Sequence, residues 1–341
     1  MTKKRWVFAA ALVFFAAPVF AGSVEDFYKG KSIRIVVGFE PGGATDTISR
    51  LVQRVLPKHI PGNPTIVVEN KPGGGSLLGL NTVYNTEPKD GTVIVGFNQD
   101  LIRSQALGAP GVRFDARKLD WLASTVDSMG ICAARTDSGI AKIQDIMNGK
   151  ELVVASFGKG TISYDPPAVM NAVLGTRFKI ITGYQGGAPQ RLAVRNGEVQ
   201  GFCTSLDPMT ASARELLEGD KPTTRIIVVT GSRTPDSPFT TSVPAAETLA
   251  KTEEAKTLLR AIHLGFTISI PFAMAPGVPK ERVQALRAAF EKTFKDPEFL
   301  TLAEKTQQTI RAKTGEEVAR VAEEMLNLPP ALANKLKVIL Q

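Results

Sequence analysis

Glycine clusters are the residues of this chain best placed to do chemistry, and the chemistry they suit is the holding of a small anion. Four short loops carry them: Pro41-Gly42-Gly43-Ala44-Thr45-Asp46, Pro72-Gly73-Gly74-Gly75-Ser76, Phe157-Gly158-Lys159-Gly160-Thr161, and the stretch 183–188. Each follows an apolar run and precedes a helical stretch. Without a β-carbon the backbone can come close to an anion, and the N–H groups that open the next helix supply donors and a partial positive charge. Any one of these loops serves equally well as a tight turn; four in one chain favour a binding cleft.

Other chemistries have little to build on. His59 and His263 are the only histidines, and neither has a nucleophile or a second metal ligand close by in sequence. Cys132 and Cys203 are the only cysteines, too few for a Cys-type zinc site or a disulfide scaffold. The run from Pro72 to Gly79 misses the dinucleotide spacing because Leu78 takes the third glycine's place, and neither a phosphate loop nor a nucleophile elbow is present. No cofactor and no metal are therefore expected. An exported enzyme or nucleotide binder stands as the rival reading.

The elements that must position the loops alternate along the chain. Ser32 to Gly38, Thr65 to Glu69 and Thr92 to Gly96 read as buried strands, with helices at Thr45 to His59 and Ser76 to Asn85 between them, and Trp121 to Thr125 reads as a crossing segment. The pattern restarts near Ser128, with strands at Met129 to Ala134, Leu152 to Ser156, Lys179 to Thr182, Val199 to Thr204 and Arg225 to Thr230. From Leu258 the chain reads as largely helical. Strands alternating with helices predict mostly parallel sheets covered on both faces, with ligands held outside the strand carboxyl ends.

Lys3-Lys4-Arg5, the apolar run Trp6 to Phe20 and the small-residue site at Ala21 predict a signal peptide over 1–21 and a periplasmic protein; the apolar run is short for a membrane anchor. About 320 residues then remain, more than single cores usually reach, so two domains are expected. The formal charge of +8 on 341 residues includes three basic residues of the leader and shows no later Lys/Arg run, which favours small anions over nucleic acid. No later segment is long and apolar enough to span a membrane. Export permits Cys132 and Cys203 to pair, and two buried thiols fit their apolar contexts equally well.

Val37 to Asp46 with Ser49 and Arg50 closely resembles the first signature of the Bug/TctC family, the periplasmic solute-binding proteins of tripartite tricarboxylate transporters. Val68 to Ser76 with Gly79, Pro88 to Thr92, Gly183 to Gly186, Gly197 to Gly201, and Val243-Pro244 followed by Glu247 resemble further landmarks in the same order. The resemblance covers essentially the whole chain after the leader. It implies a periplasmic binding protein, or Venus flytrap, fold: two doubly wound α/β domains around a central cleft. Domain 1 would take 23–125 and 240–341, and domain 2 would take 126–239. The implied partners are a small carboxylate, di- or tricarboxylate or aromatic, and membrane transporter subunits, with the chain a monomer. An envelope sensor would use the same cleft with a signalling receptor instead.

Carried over by motif position, the first wall of the cleft would be Phe39, Pro41, Gly42, Gly43, Thr45 and Asp46, with Gly74, Gly75 and Ser76. The second would be Ser156, Phe157, Gly158, Lys159, Gly160, Thr161, Tyr184, Gly186, Gly187, Thr204 and Ser205. Gly42 and Gly43 would offer backbone N–H groups, and Thr45, Thr161 and Ser205 hydroxyls. Phe39, Phe157 and Tyr184 would cover the ligand's apolar body. Asp46, being anionic, suits a helix cap or a bridging water better than direct contact with a carboxylate. Lys159 would meet a second carboxylate or simply face solvent. Tyr164 and the paired prolines 166 and 167 depart from the family pattern, as does the long stretch 207–222, and these leave the ligand unnamed.

Overall fold

The computed structural model describes residues 23–184, 187–230 and 237–340. Eleven strands are found among them: β1 Ser32–Val37, β2 Thr65–Asn70, β3 Val93–Gly96, β4 Asp120–Val126, β5 Gly130–Arg135, β6 Leu152–Ala155, β7 Phe178–Ile181, β8 Gly201–Ser205, β9 Thr224–Thr230, β10 Ser269–Met274 and β11 Lys313–Thr314. They form two sheets, in the orders β11-β4-β10-β3-β1-β2 and β7-β6-β8-β5-β9. β1 pairs in parallel with β2 and β3, and β6 with β7 and β8. The inner strands β1, β3 and β6 are apolar runs buried on both faces, such as Ile33, Ile35, Val36 and Val37 of β1, because helices cover both sides. The helix Ala44–Val55 sets Ile48, Leu51, Val52 and Val55 into the core under the first sheet, at the 3.6-residue period of its sequence.

Each sheet also carries one internal antiparallel strand, β10 in the first and β5 in the second. β10 lies inside the region expected to be helical. Its apolar run is interrupted by Pro271, a residue that argues against a central strand, and Ile270 sits at φ +53°, so neither strand period nor composition marks it. The chain crosses between the sheets from β4 into β5 through Asp127-Ser128-Met129. There the Asp127 N–H donates to the Arg311 carbonyl at 3.0 Å and the Ser128 N–H to the Phe266 carbonyl at 2.9 Å.

The stretch expected to return wholly to the first domain divides between the two cores. Val283, Leu286, Phe290, Phe294 and Phe299 pack under the first sheet, with Phe272 and Phe290 stacked at 5.2 Å. Leu258, Leu259 and Ile262 of the helix Glu253–His263, and Leu336 of the helix Pro330–Leu340, instead join Val169 and Met170 in the core of the second sheet. Their apolar faces are covered there.

Cys132 and Cys203, opposite each other on β5 and β8, are joined by a disulfide with S–S 2.04 Å. The structure thus selects the paired alternative. The bond ties positions 71 residues apart, and restricting the unfolded chain over such a loop contributes about 2–4 kcal/mol. Replacing both cysteines by alanine should lower the urea midpoint of the second domain accordingly. An unchanged midpoint would mean that the thiols are not bonded in solution.

Candidate functional site

The loops that follow the parallel strands are built largely by internal hydrogen bonds. In the first sheet, Gly38 and Ser76 lie so close that a Cβ on Gly38 would stand 2.2 Å from that of Ser76. Ser76 is buried, at φ +77°, and its hydroxyl accepts the Asn98 N–H at 2.8 Å, which binds the loop after β2 to the loop after β3. Asp46 is also buried. It accepts the Gly42 N–H at 2.9 Å, Arg50 at 2.9 Å and the Asn70 amide at 2.8 Å. Burial pushes its pKa up, but those bonds from Arg50, Gly42 and Asn70 outweigh it and hold the carboxylate below its ordinary range. Gly42, expected to serve a ligand, gives its N–H to Asp46 instead, because a carboxylate four residues on is the nearer partner. Phe39 packs on the core beneath while its carbonyl accepts Asn70. Pro41, Gly42 and Gly43 are exposed.

The loop after β6 is organised in the same way around Ser163. Its hydroxyl accepts the Phe157 N–H at 2.9 Å and lies 3.2 Å from the hydroxyls of both Ser156 and Thr161. Gly158 donates to Ser156 at 3.2 Å, Gly160 to Asp165 at 2.9 Å, and the Thr161 hydroxyl to the Gly158 carbonyl at 2.5 Å. The donors assigned to a ligand on Gly158, Gly160 and Thr161 are thus spent on the loop itself. Lys159 is exposed. Tyr184 donates to Glu198 at 2.6 Å, and that bond, with burial, pushes its pKa up to about 12. Gly187 opens the helix Gly187–Arg195, Thr204 is half-buried on β8, and Gly186 lies outside the described residues. Gly74 borders a separate open groove with Leu78 and Asn81 on the outside of the first sheet, and Gly75 is exposed.

Between the sheets lies a cavity of about 320 Å³ lined by Ala44, Gln99, Val126, Ser128, Ser205, Asp207, Ser269, Ile270 and Thr306 to Thr309. Its size is that of a small-molecule site. Ser205 of the expected residues lines it, and Gly43 and Thr45 flank Ala44, which does. Ala44 begins a twelve-residue helix whose N-cap, Gly43, offers no side-chain cap, so no capping side chain takes the N–H groups of its first turn. Gln99, Ser205 and Thr309 make no side-chain hydrogen bond to another described residue.

Two ion pairs link the elements of the two sheets, one of them at the cavity wall. Arg103, from the helix Asp100–Ala106, is buried between Asp100 at 3.0 Å and Asp165 of the second domain at 2.5 Å. Burial pushes the Asp165 pKa up, Arg103 opposes the rise and Asp100 adds to it, leaving it at about 6. At the cavity wall Arg311 meets Asp207 at 2.6 Å, and Asp207 also accepts the Ser128 hydroxyl at 2.6 Å.

Sequence reasoning missed Gln99, Ser128, Asp207, Ser269, Ile270 and the whole Thr306–Thr309 segment. One signal exists in hindsight. The helix Pro297–Lys305 ends in a Schellman turn, with Gln307 donating to Glu304 at 2.9 Å and Gln308 to Ala303 at 2.8 Å, and its left-handed position, φ +55°, holds Gln307 where glycine is usual. A side chain kept at that cost lines the cavity. Gln307→Gly should therefore raise folding stability by about 0.5–1 kcal/mol while weakening ligand binding; equal loss of both would contradict this. Because the folded pKa of Asp165 lies above its unfolded value, its contribution is present at low pH and lost as pH rises through about 6. Thermal melts should show wild type losing stability relative to Asp165→Asn between about pH 4 and 6; a constant difference over that range would show that Asp165 does not titrate there.

A family model described as tripartite tricarboxylate transporter family receptor matches residues 48–338. A UPF0065 protein of Bordetella pertussis is 27% identical over 179 residues, 51% of this chain and 54% of its own length, so the chain matches about half of that relative. A UPF0065 protein of Cupriavidus necator is 25% identical over 340 residues, covering 96% of this chain and 93% of its own. Among solved structures, a TctC solute-binding protein from Polaromonas superposes with TM-score 0.68 at 19% identity, covering 92% of this chain and 98% of that one. MatC from Rhodopseudomonas palustris with bound malate superposes with TM-score 0.62 at 19% identity, over 91% and 99%. A second R. palustris protein, with adipate, has TM-score 0.62 at 17% identity, over 91% and 97%. The fold is that of the periplasmic binding proteins, and the chain belongs to the tripartite tricarboxylate transporter receptor family.

Proposed function

We propose that the chain captures a small carboxylate in the cavity between its two sheets, closes on it by a hinge at the crossing segments, and delivers it to a tripartite tricarboxylate-type transporter in the membrane. The observation that carries this reading is the 320 Å³ cavity lined from both sheets, by Ala44 and Gln99 on one side and Ser205 and Asp207 on the other. A ligand that touches both walls is stabilised only when they are together, so its binding energy shifts the open–closed equilibrium. One carboxylate would sit at the helix that begins with Ala44, held by first-turn N–H groups and by the Gln99 amide and the Ser205 hydroxyl. Malate and adipate, held by two relatives of the same fold, are carboxylates of the size this volume takes.

Binding without turnover is part of the proposal. His59 is paired with Asp296 at 2.7 Å and His263 with Glu247, and neither lines the cavity, so a nucleophile there would lack a histidine base. Export is part of the same reading, supported by the basic and apolar residues of the 1–21 segment; no helix among the described residues is long and apolar enough to cross a membrane. The chain would act as a monomer. A thermal-shift screen of mono-, di- and tricarboxylates, amino acids, sugars and nucleotides tests the ligand class, because binding to the native state stabilises by about 2.7 kcal/mol at a hundred times Kd. Shifts confined to carboxylates, with a smaller radius of gyration at saturation, are expected. A response to sugars or nucleotides alone, or no compaction, would overturn the reading.

A further inference from the structure

The polar lining of the cavity is mostly neutral: Gln99, Ser128, Ser205, Ser269, Gln307 and Thr309 offer amides and hydroxyls. Asp207 is its charged member. No lysine or arginine is among the lining residues, and Arg311 and Lys313, which adjoin its wall through Asp207 and Asp127, are each paired with a carboxylate. Arg311 donates to Asp207 at 2.6 Å and to the Asp127 carbonyl at 2.8 Å, and Lys313 is paired with Asp127 at 2.6 Å. Asp207 itself is not saturated. One of its oxygens takes Arg311 and the other takes the Ser128 hydroxyl, while an ionised carboxylate accepts at about four sites.

We propose that Asp207 selects the far end of the ligand, admitting a carboxylate whose second polar group donates hydrogen bonds, an amide, ammonium or hydroxyl, over one that ends in a second carboxylate. This rests on the reading that the cavity holds a carboxylate at all. The walls are complementary in that sense. The helix end at Ala44, from the first sheet, offers N–H donors, whereas Asp207, from the second, offers lone pairs. A dicarboxylate would bring an anion against the half-buried Asp207 carboxylate, whose counter-ion Arg311 already serves it. A far-end donor instead fills the open acceptor sites of Asp207 without displacing Arg311 or Ser128.

The test is calorimetric titration at pH 7 with a matched four-carbon set: succinate, succinamate, 4-hydroxybutyrate and 4-aminobutyrate. Wild type should bind the three donor-bearing acids at least about tenfold more tightly than succinate. Asp207→Asn removes the charge and frees Arg311, so the preference should narrow or reverse towards succinate. Succinate binding as tightly as the others in wild type would overturn the proposal, and the wild-type comparison decides this even where the variant fails to fold. An unchanged preference in folded Asp207→Asn would also overturn it. If no carboxylate binds, in this set or in the wider screen, the reading of the cavity falls and the proposal with it, an outcome distinct from a reversed preference.

Discussion

The ion pair between Arg311 and Asp207 sits where the chain passes from one sheet to the other, and the geometry of the site depends on it. Arg311 comes from the segment after the helix Pro297–Lys305, and Asp207 from the first turn of the helix Leu206–Ser212 that follows β8. The same arginine reaches the Asp127 carbonyl, and the backbone of Asp127 is bonded to that of Arg311. A strand crossing alone leaves two sheets free to turn about it. With these bonds the ends of β1, β3 and β8 are held around one cavity. Arg103 likewise reaches from the first sheet's domain to Asp165 in the second, a further ion pair across the two.

Hydrogen bonds inside the loops do the remaining positioning. Asp46 gathers Gly42, Arg50 and Asn70, and Ser163 gathers Phe157, Ser156 and Thr161. Loops without such hubs would leave buried polar groups unpaired at a cost of about 1–3 kcal/mol each. The consequence for binding is economy of donors: those left for a ligand are the first turn of the helix at Ala44 and a few neutral side chains. Such donors, fixed before the ligand arrives, lose little freedom on binding.

Most of the architecture was legible because burial on both faces writes β-branched runs, and helix faces write a 3.6-residue period. The strands β1, β2, β3, β6 and β9 stand within about a residue or two of their expected ends. β10 escaped because Pro271 and a left-handed Ile270 break strand grammar at the place where the chain returns from one sheet to the other. The site was legible in its loops and not in its lining. Glycine-rich turns mark where backbone must bend, but whether a given N–H faces a ligand or a neighbouring carboxylate depends on side chains that meet only in three dimensions. Asp207, Gln99 and Thr306 to Thr309 come from three distant segments, carry no local motif, and converge through the sheet order. The long stretch after Asp207 and the unusual Gln307 were the visible traces of that convergence.

The central claim is that a ligand occupies the cavity at the crossing and touches both sheets at once. A crystal structure of the mature protein with a tightly bound small carboxylate tests it most directly. The account predicts ligand density between the helix end at Ala44 and the junction of β8 with the helix Leu206–Ser212, with Gln99 and Ser205 within hydrogen-bond reach. Density confined to one domain, or lying in the outer groove by Leu78 and Asn81, would contradict it.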